Sequence, residues 1–297
     1  MVAGREILAI IPARCGSKGI PGKNIKEFAG FPLIAYSIVA GLRSALVTRV
    51  VVSTDDEEIA EIARGWGAEV PFMRPEQYAQ DDTLDLPVAK HCLDWLGAHQ
   101  DYQPDALVWL RPTSPIRPLD CVDFALRLLM AHPEADSVRG VVPAGQNPFK
   151  MWTIDPGTQT MDPLLSLDGI AEPYNAPRQV LPDVYWQTGH IDALWTKTAT
   201  EKNSMTGDVI VPMMIEPRFT VDIDNHSDWN NAERMLQRDA LYAEMIDPAN
   251  QRRGIPEDIK LIVLDFDGVM TDNRVWVNQD GVESVAANRG DGMGIDL

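Results

Sequence analysis

Along the first half of the chain, apolar residues follow two alternating rhythms. Compact runs at 7–12, 49–53 and 106–110 (Ile-Leu-Ala-Ile-Ile-Pro, Arg-Val-Val-Val-Ser and Ala-Leu-Val-Trp-Leu) have the length of buried strands. Between and after them, the stretches 33–46, 56–65, 86–98 and 119–131 space their apolar residues as amphipathic helices do. The second of these opens on Asp56, Glu57 and Glu58, acidic groups where a helix N-terminus favours them. Strands followed by helices of this length need crossover connections, so the pattern predicts an α/β fold with a mostly parallel sheet.

The middle of the chain reads differently. From 138 to 215 the pattern is strands and proline-rich loops with little helix, for example at 184–195 and 209–215. It predicts a β-rich insertion that closes over a substrate or pairs with another subunit. A short strand is predicted at 220–224 and a long amphipathic helix at 226–245. Residues 247–258 read as a linker, which divides the chain into a first domain, 1–246, and a second segment, 259–297, opening on an apolar strand at 259–264.

Composition narrows the partners. The 297 residues are 45% hydrophobic and 24% charged, ordinary for a soluble globular protein. A net charge of −18 argues against nucleic acid as partner, so an anionic substrate has to be attracted locally. No apolar run reaches the roughly 18–20 residues of a membrane span, and Arg5 and Glu6 stand where a signal peptide would be apolar. The expectation is a cytoplasmic protein with no membrane partner. Cys15, Cys92 and Cys121 are spaced for neither a disulfide framework nor a zinc site, and Cys15 reads as a small filler residue.

The local attraction lies directly after the first strand, at Arg14-Cys-Gly-Ser-Lys-Gly-Ile-Pro-Gly-Lys-Asn24. Gly16, Gly19 and Gly22 let backbone N–H groups approach an anion, while Arg14, Lys18 and Lys23 supply positive charge. The guest such a loop suits is a nucleoside triphosphate. It is not a P-loop: five residues separate Gly16 from Gly22, and Asn24 stands where that motif has a hydroxyl. At the end of the second strand, Ser53-Thr-Asp-Asp56 either touches the nucleotide or caps the next helix. Pro112 and Pro115 fix a further loop in which Thr113 and Ser114 face the cleft. In Val221-Asp-Ile-Asp224, strand alternation puts Asp222 and Asp224 on one side, a pair suited to Mg2+ and substrate phosphates.

The string from Ile11 to Asn24 resembles the signature of the acylneuraminate cytidylyltransferases (CMP-sialic acid synthetases), and the resemblance extends over 6–245. It implies a nucleotide-diphosphosugar transferase fold, Rossmann-like, with a mostly parallel sheet and a β-rich insertion. It implies CTP and a nine-carbon keto acid sugar as substrates, CMP-sugar and pyrophosphate as products, Mg2+ as cofactor and a homodimer as the assembly. Carried over by residue, Arg14 and Lys23 hold the triphosphate with Gly16, Ser17, Asn24, Ser53 and Arg74, and Asp222 and Asp224 bind the metal. The run Arg111-Pro-Thr-Ser-Pro-Ile-Arg117 is similar to the family's Gln-Pro-Thr-Ser-Pro-Leu-Arg loop, with Arg111 replacing the glutamine. Arg178-Gln179 is similar to the segment whose arginine grips the sugar carboxylate. Thr188 to Ile191 departs from the family's Asn-Gly-Ala-Ile, so His190 and Asp192 read as a different sugar pocket or a structural pair.

A second resemblance lies at the end of the chain. Asp265-Phe-Asp-Gly-Val-Met-Thr-Asp272 resembles the first motif of the haloacid-dehalogenase-type (HAD-like) phosphatases, and 288–295 is similar to the 3-deoxy-octulosonate 8-phosphate phosphatases. It implies Asp265 as nucleophile and Asp267 as acid/base. The later motifs of that family do not follow, so the expectation is an incomplete HAD-like segment without phosphatase activity. The alternatives are cytidylyl transfer to 3-deoxy-octulosonate, a sugar phosphatase with a non-catalytic N-terminal part, and a sugar or nucleotide sensor.

Overall fold

The computed structural model describes residues 4–238, 245–249, 271–277 and 283–287. The chain separates into two compact units, Met1–Gly254 and Ile255–Leu297. The first contains, in order, β1 (Ile7–Pro12), β2 (Glu27–Phe28), β3 (Phe31–Pro32), α1 (Leu33–Arg43), β4 (Arg49–Ser53), α2 (Glu57–Gly65), α3 (Asp85–Gln100), β5 (Ala106–Trp109) and α4 (Cys121–Ala131). It continues through β6 (Ser137–Pro143), β7 (Trp152–Ile154), β8 (Met161–Pro163), β9 (Tyr185–Trp195), α5 (Thr196–Thr200), β10 (Ile210–Met214) and α6 (His226–Arg238). In the second unit β11 (Thr271–Val277) and β12 (Glu283–Ala287) form an antiparallel ribbon. Asp265 and Asp267 lie outside the described residues.

Six strands form the central sheet in the order β10-β6-β9-β5-β1-β4. All neighbours are parallel except the two pairs made by β9. Both faces are covered, as the unbroken apolar strands require. Ile7, Ala9 and Ile11 of β1 pack into a core with α1, α2, α4 and α6, while Leu8 and Ile10 pack into a second core with α3 and Ala199 of α5. Asp56 caps α2 by accepting a hydrogen bond from the Ile59 N–H at 2.9 Å. Among the described residues no helix is long and apolar enough to cross a membrane.

Three predicted elements differ. The 138–215 stretch supplies β6, β9 and β10 to the central sheet, so the excursion from it is confined to 144–184, with the β7–β8 hairpin inside. Its prolines misled because Pro212 sits on β10, an edge strand, where a missing donor leaves no ladder bond unmade. The 220–224 stretch is extended but joins no sheet; the Ile223 N–H donates to the Thr113 carbonyl at 2.8 Å instead. The helix predicted for 226–245 is described as far as Arg238, and Met245 makes a bridge with Pro118.

Candidate active site

β1 lies between β4 and β5, and the chain leaves it first toward β4 and returns on the other side as β5. That is a switch point, where open α/β sheets bind ligands beyond the carboxyl ends of their strands. The loops following β1 and β5 both leave from that edge, and between them lies a cavity of about 340 Å³. The first loop contributes Arg14, Ser17, Lys18, Gly19, Lys23 and Asn24, the second Arg111, Pro112 and Thr113, and Pro12, Asp85 and Asp224 complete the lining.

The first loop is shaped by close contacts. The buried Asn24 donates from its side chain to the Arg14 carbonyl at 2.9 Å, closing the loop on itself. Gly22 has φ +62°, in the left-handed region that glycine tolerates. A Cβ on Gly19 would collide with the backbone carbonyl of Asp224, so this glycine lets the loop touch the metal-candidate segment. Gly16 has open space around it, leaving its backbone accessible. The Lys23 side chain is only 12% exposed, and its ammonium donates to the Ile223 carbonyl at 2.7 Å and reaches Asp224 at 3.4 Å. Cys15 donates N–H and S–H to the Asp55 carboxylate, which, with burial, holds its thiol above the usual range. That is the opposite of an activated nucleophile.

Asp222 and Asp224 alternate with the buried Val221 and Ile223, so both carboxylates stand away from the core as alternation predicts, without a ladder. Burial and the neighbouring Asp224 raise the Asp222 carboxyl, while a hydrogen bond from the Thr113 side chain works against them. This is an arrangement that a divalent cation would relieve. Among the described residues no three acidic, histidine or cysteine side chains gather as a metal cage, so a cation here would draw its remaining oxygens from substrate and water.

Other candidates stand elsewhere. His190 is fully buried, and its Nε2 faces the carbonyls of Phe219 at 2.8 Å and Ile116 at 3.1 Å. It is a strut in the core, not a sugar contact. Asp192 does not pair with it but accepts hydrogen bonds from Arg111 at 2.6 Å and Arg139 at 2.8 Å. Ser114, expected to face the cleft, is fully buried against Gly189. The Ser53 side chain is buried as well, and its carbonyl accepts from Arg74. Arg74 itself is 6% exposed, donates also to the Tyr78 carbonyl at 3.3 Å, and braces the end of β4 instead of lining the cavity. Arg178 lines a separate depression of about 200 Å³ with Asn147 and Asp183, and Gln179 is exposed beside it.

Sequence reasoning missed two features. Asp85, at the start of α3, binds Arg111 at 2.5 Å across the cavity wall. Arg117, fully buried, donates to the carbonyls of His190 and Arg111, both at 2.7 Å, and to the Ser37 hydroxyl at 3.1 Å. It fixes the second loop from below. Its sequence signals were its place as the last residue of the Arg111–Arg117 run and the apolar Ile116 beside it.

Known proteins share this architecture. The cytidylyltransferase family model matches residues 8–94, which include the first loop. The CMP-N,N'-diacetyllegionaminic acid synthase of Legionella pneumophila is 34% identical over 235 residues, 78% of this chain and 97% of its own length. The N-acylneuraminate cytidylyltransferase A of Danio rerio is 30% identical over 293 residues, 99% of this chain, which spans 63% of that protein. The solved structure of a CMP:2-keto-3-deoxy-manno-octonic acid synthetase complexed with CTP superposes with a TM-score of 0.57 at 15% identity, covering 78% of this chain and 99% of its own, which supports the fold alone. With a whole relative matched nearly end to end above 30% identity, the chain belongs to the cytidylyltransferase family and is a nucleotidyltransferase.

Proposed function

We propose that this protein transfers the cytidylyl group of CTP to the anomeric hydroxyl of a nine-carbon keto acid sugar, a nonulosonic acid. The observation that carries the reading is one cavity at the sheet's switch point that combines phosphate-loop cations with Asp224. The Legionella and Danio relatives, named for legionaminic and acylneuraminic acids, support the choice of sugar class. The anomeric oxygen attacks the α-phosphorus in line. An O–P bond forms, the bond from the α-phosphorus to the bridging oxygen breaks, pyrophosphate leaves, and the hydroxyl proton passes to solvent water.

The chain's own groups contribute position and charge. Arg14, Lys18, Lys23 and the loop amides hold the triphosphate and the leaving pyrophosphate. Thr113 and Arg111 form the opposite wall, on which the sugar rests. Asp222 and Asp224 are the residues we assign to Mg2+, which when bound neutralises phosphate charge. The excursion at 144–184 exposes Ile154, Met161 and Leu164, and we assign it to contact with a second copy in a homodimer.

The test is pyrophosphate release with Mg2+, pairing each of the four nucleoside triphosphates with eight- and nine-carbon keto acid sugars. Release with CTP and a nine-carbon acid is expected, and Asp222→Asn or Asp224→Asn should reduce it by about a hundred-fold or more without unfolding the protein. Folded protein that releases pyrophosphate with no pair overturns the reading.

A further inference from the structure

The stretch 79–85, leading into α3, places carboxylates on both walls of the cavity. Asp81 accepts a hydrogen bond from Arg14 Nη1 at 2.6 Å and also pairs with the Lys18 ammonium. Arg14 donates as well to the Ala79 carbonyl at 3.4 Å. At the other end of the stretch, Asp85 holds Arg111 of the opposite wall at 2.5 Å. Gln80, Asp82 and Leu84 are exposed, with Leu84 at 74%, so little apolar packing holds the middle of the stretch, and the ion pairs of Asp81 and Asp85 join it to the two loops.

Arg14 and Lys18 are cavity-lining cations of the loop that sequence and fold both direct at phosphate. A carboxylate offers them the same interaction a phosphate does: anionic oxygens accepting from a guanidinium and an ammonium. Lys18 first, then Arg14, hold the Asp81 carboxyl below the usual carboxylate range, so the contact is ionic at neutral pH. Asp81 and a substrate phosphate therefore compete for one pair of partners.

We propose that Asp81 is a placeholder for substrate phosphate: it neutralises Arg14 and Lys18 until the triphosphate displaces it, while Asp85 keeps the far end of the stretch anchored on Arg111. The proposal rests on reading the cavity as a triphosphate site. Its consequence is selectivity by charge. A ligand with phosphates at this point displaces the carboxylate; a ligand of the same shape without them does not.

The experiment is calorimetric titration of CTP and of cytidine into the wild type and Asp81→Asn, with no sugar present. Asn keeps the shape and removes the competing charge. Because exposed pairs are individually weak, CTP should bind the variant about two- to five-fold more tightly, with cytidine affinity and melting temperature unchanged. CTP affinity that is unchanged or weaker in the variant overturns the proposal, as does equal tightening of cytidine. Wild-type protein that binds cytidine but not CTP, or neither, overturns the triphosphate reading and this inference with it.

Discussion

His190 shows how one buried ring can serve a site it never touches. Its Nε2–H is shared between Ile116, in the loop after β5, and Phe219, just before the Asp222 segment. It therefore ties the loop after β5 to the chain entering the Asp222 segment, two stretches that the Ile223 N–H also joins at the Thr113 carbonyl. Burial, and then the nearby Arg117 guanidinium, lower its pKa from 6.5 to about 4, so the ring stays neutral in the fold. In the unfolded chain it takes up a proton below about 6.5, which the folded state resists until about 4. The unfolded state thus binds more protons across that window, and stability falls as pH falls. From pH 6.5 to 5 this ring alone should remove about 2 kcal/mol, a change that denaturant titrations at the two pH values measure. His190→Gln should flatten the pH dependence in that window; an unchanged slope would show that other groups cause it. In sequence, His190 stood out as a departure from a family pattern. Its residue type was visible, but burial depends on which strands flank β9, and that is a tertiary fact.

At the scale of elements, β1, β4 and α2 were legible to within a residue or so, because local pattern and tertiary environment agree there. The 220–224 stretch was legible by half. Alternation correctly put Asp222 and Asp224 on one side, but sequence does not reveal that the partner of Ile223 is a loop carbonyl, Thr113, and not a strand. The long-range β9 pairings, which recruit 138–215 into the sheet, were invisible for the same reason. The loop after β1 was legible from its glycines, yet Gly19 was legible only as flexibility. Its structural role is space, since a methyl group there meets the Asp224 backbone carbonyl. Gly19→Ala should push the loop and the Asp222–Asp224 segment apart while leaving both cores intact. Turnover should fall by about ten- to a hundred-fold, the scale that ångström-sized misplacement produces. Steady-state kinetics and a melting curve check both halves; full activity would mean that the two segments need not touch.

At the scale of the whole molecule, the cavity, its loops and all the residues assigned to it lie within Met1–Gly254. The Legionella relative matches nearly all of its own length to 235 residues of this chain, fewer than that unit contains, so a complete synthase of this family is about its size. The Danio relative instead matches 99% of the chain, which spans 63% of that protein's length, so its match runs into the second unit. The first has two apolar cores on the two faces of a six-stranded sheet, enough for a domain of its size to stand alone. A protein ending at Gly254 should therefore fold cooperatively and keep its kcat for pyrophosphate release and its KM for CTP. Loss of turnover in a truncated protein that still melts cooperatively would place part of the catalytic apparatus after residue 254, and loss of folding would make the second unit a structural requirement of the first.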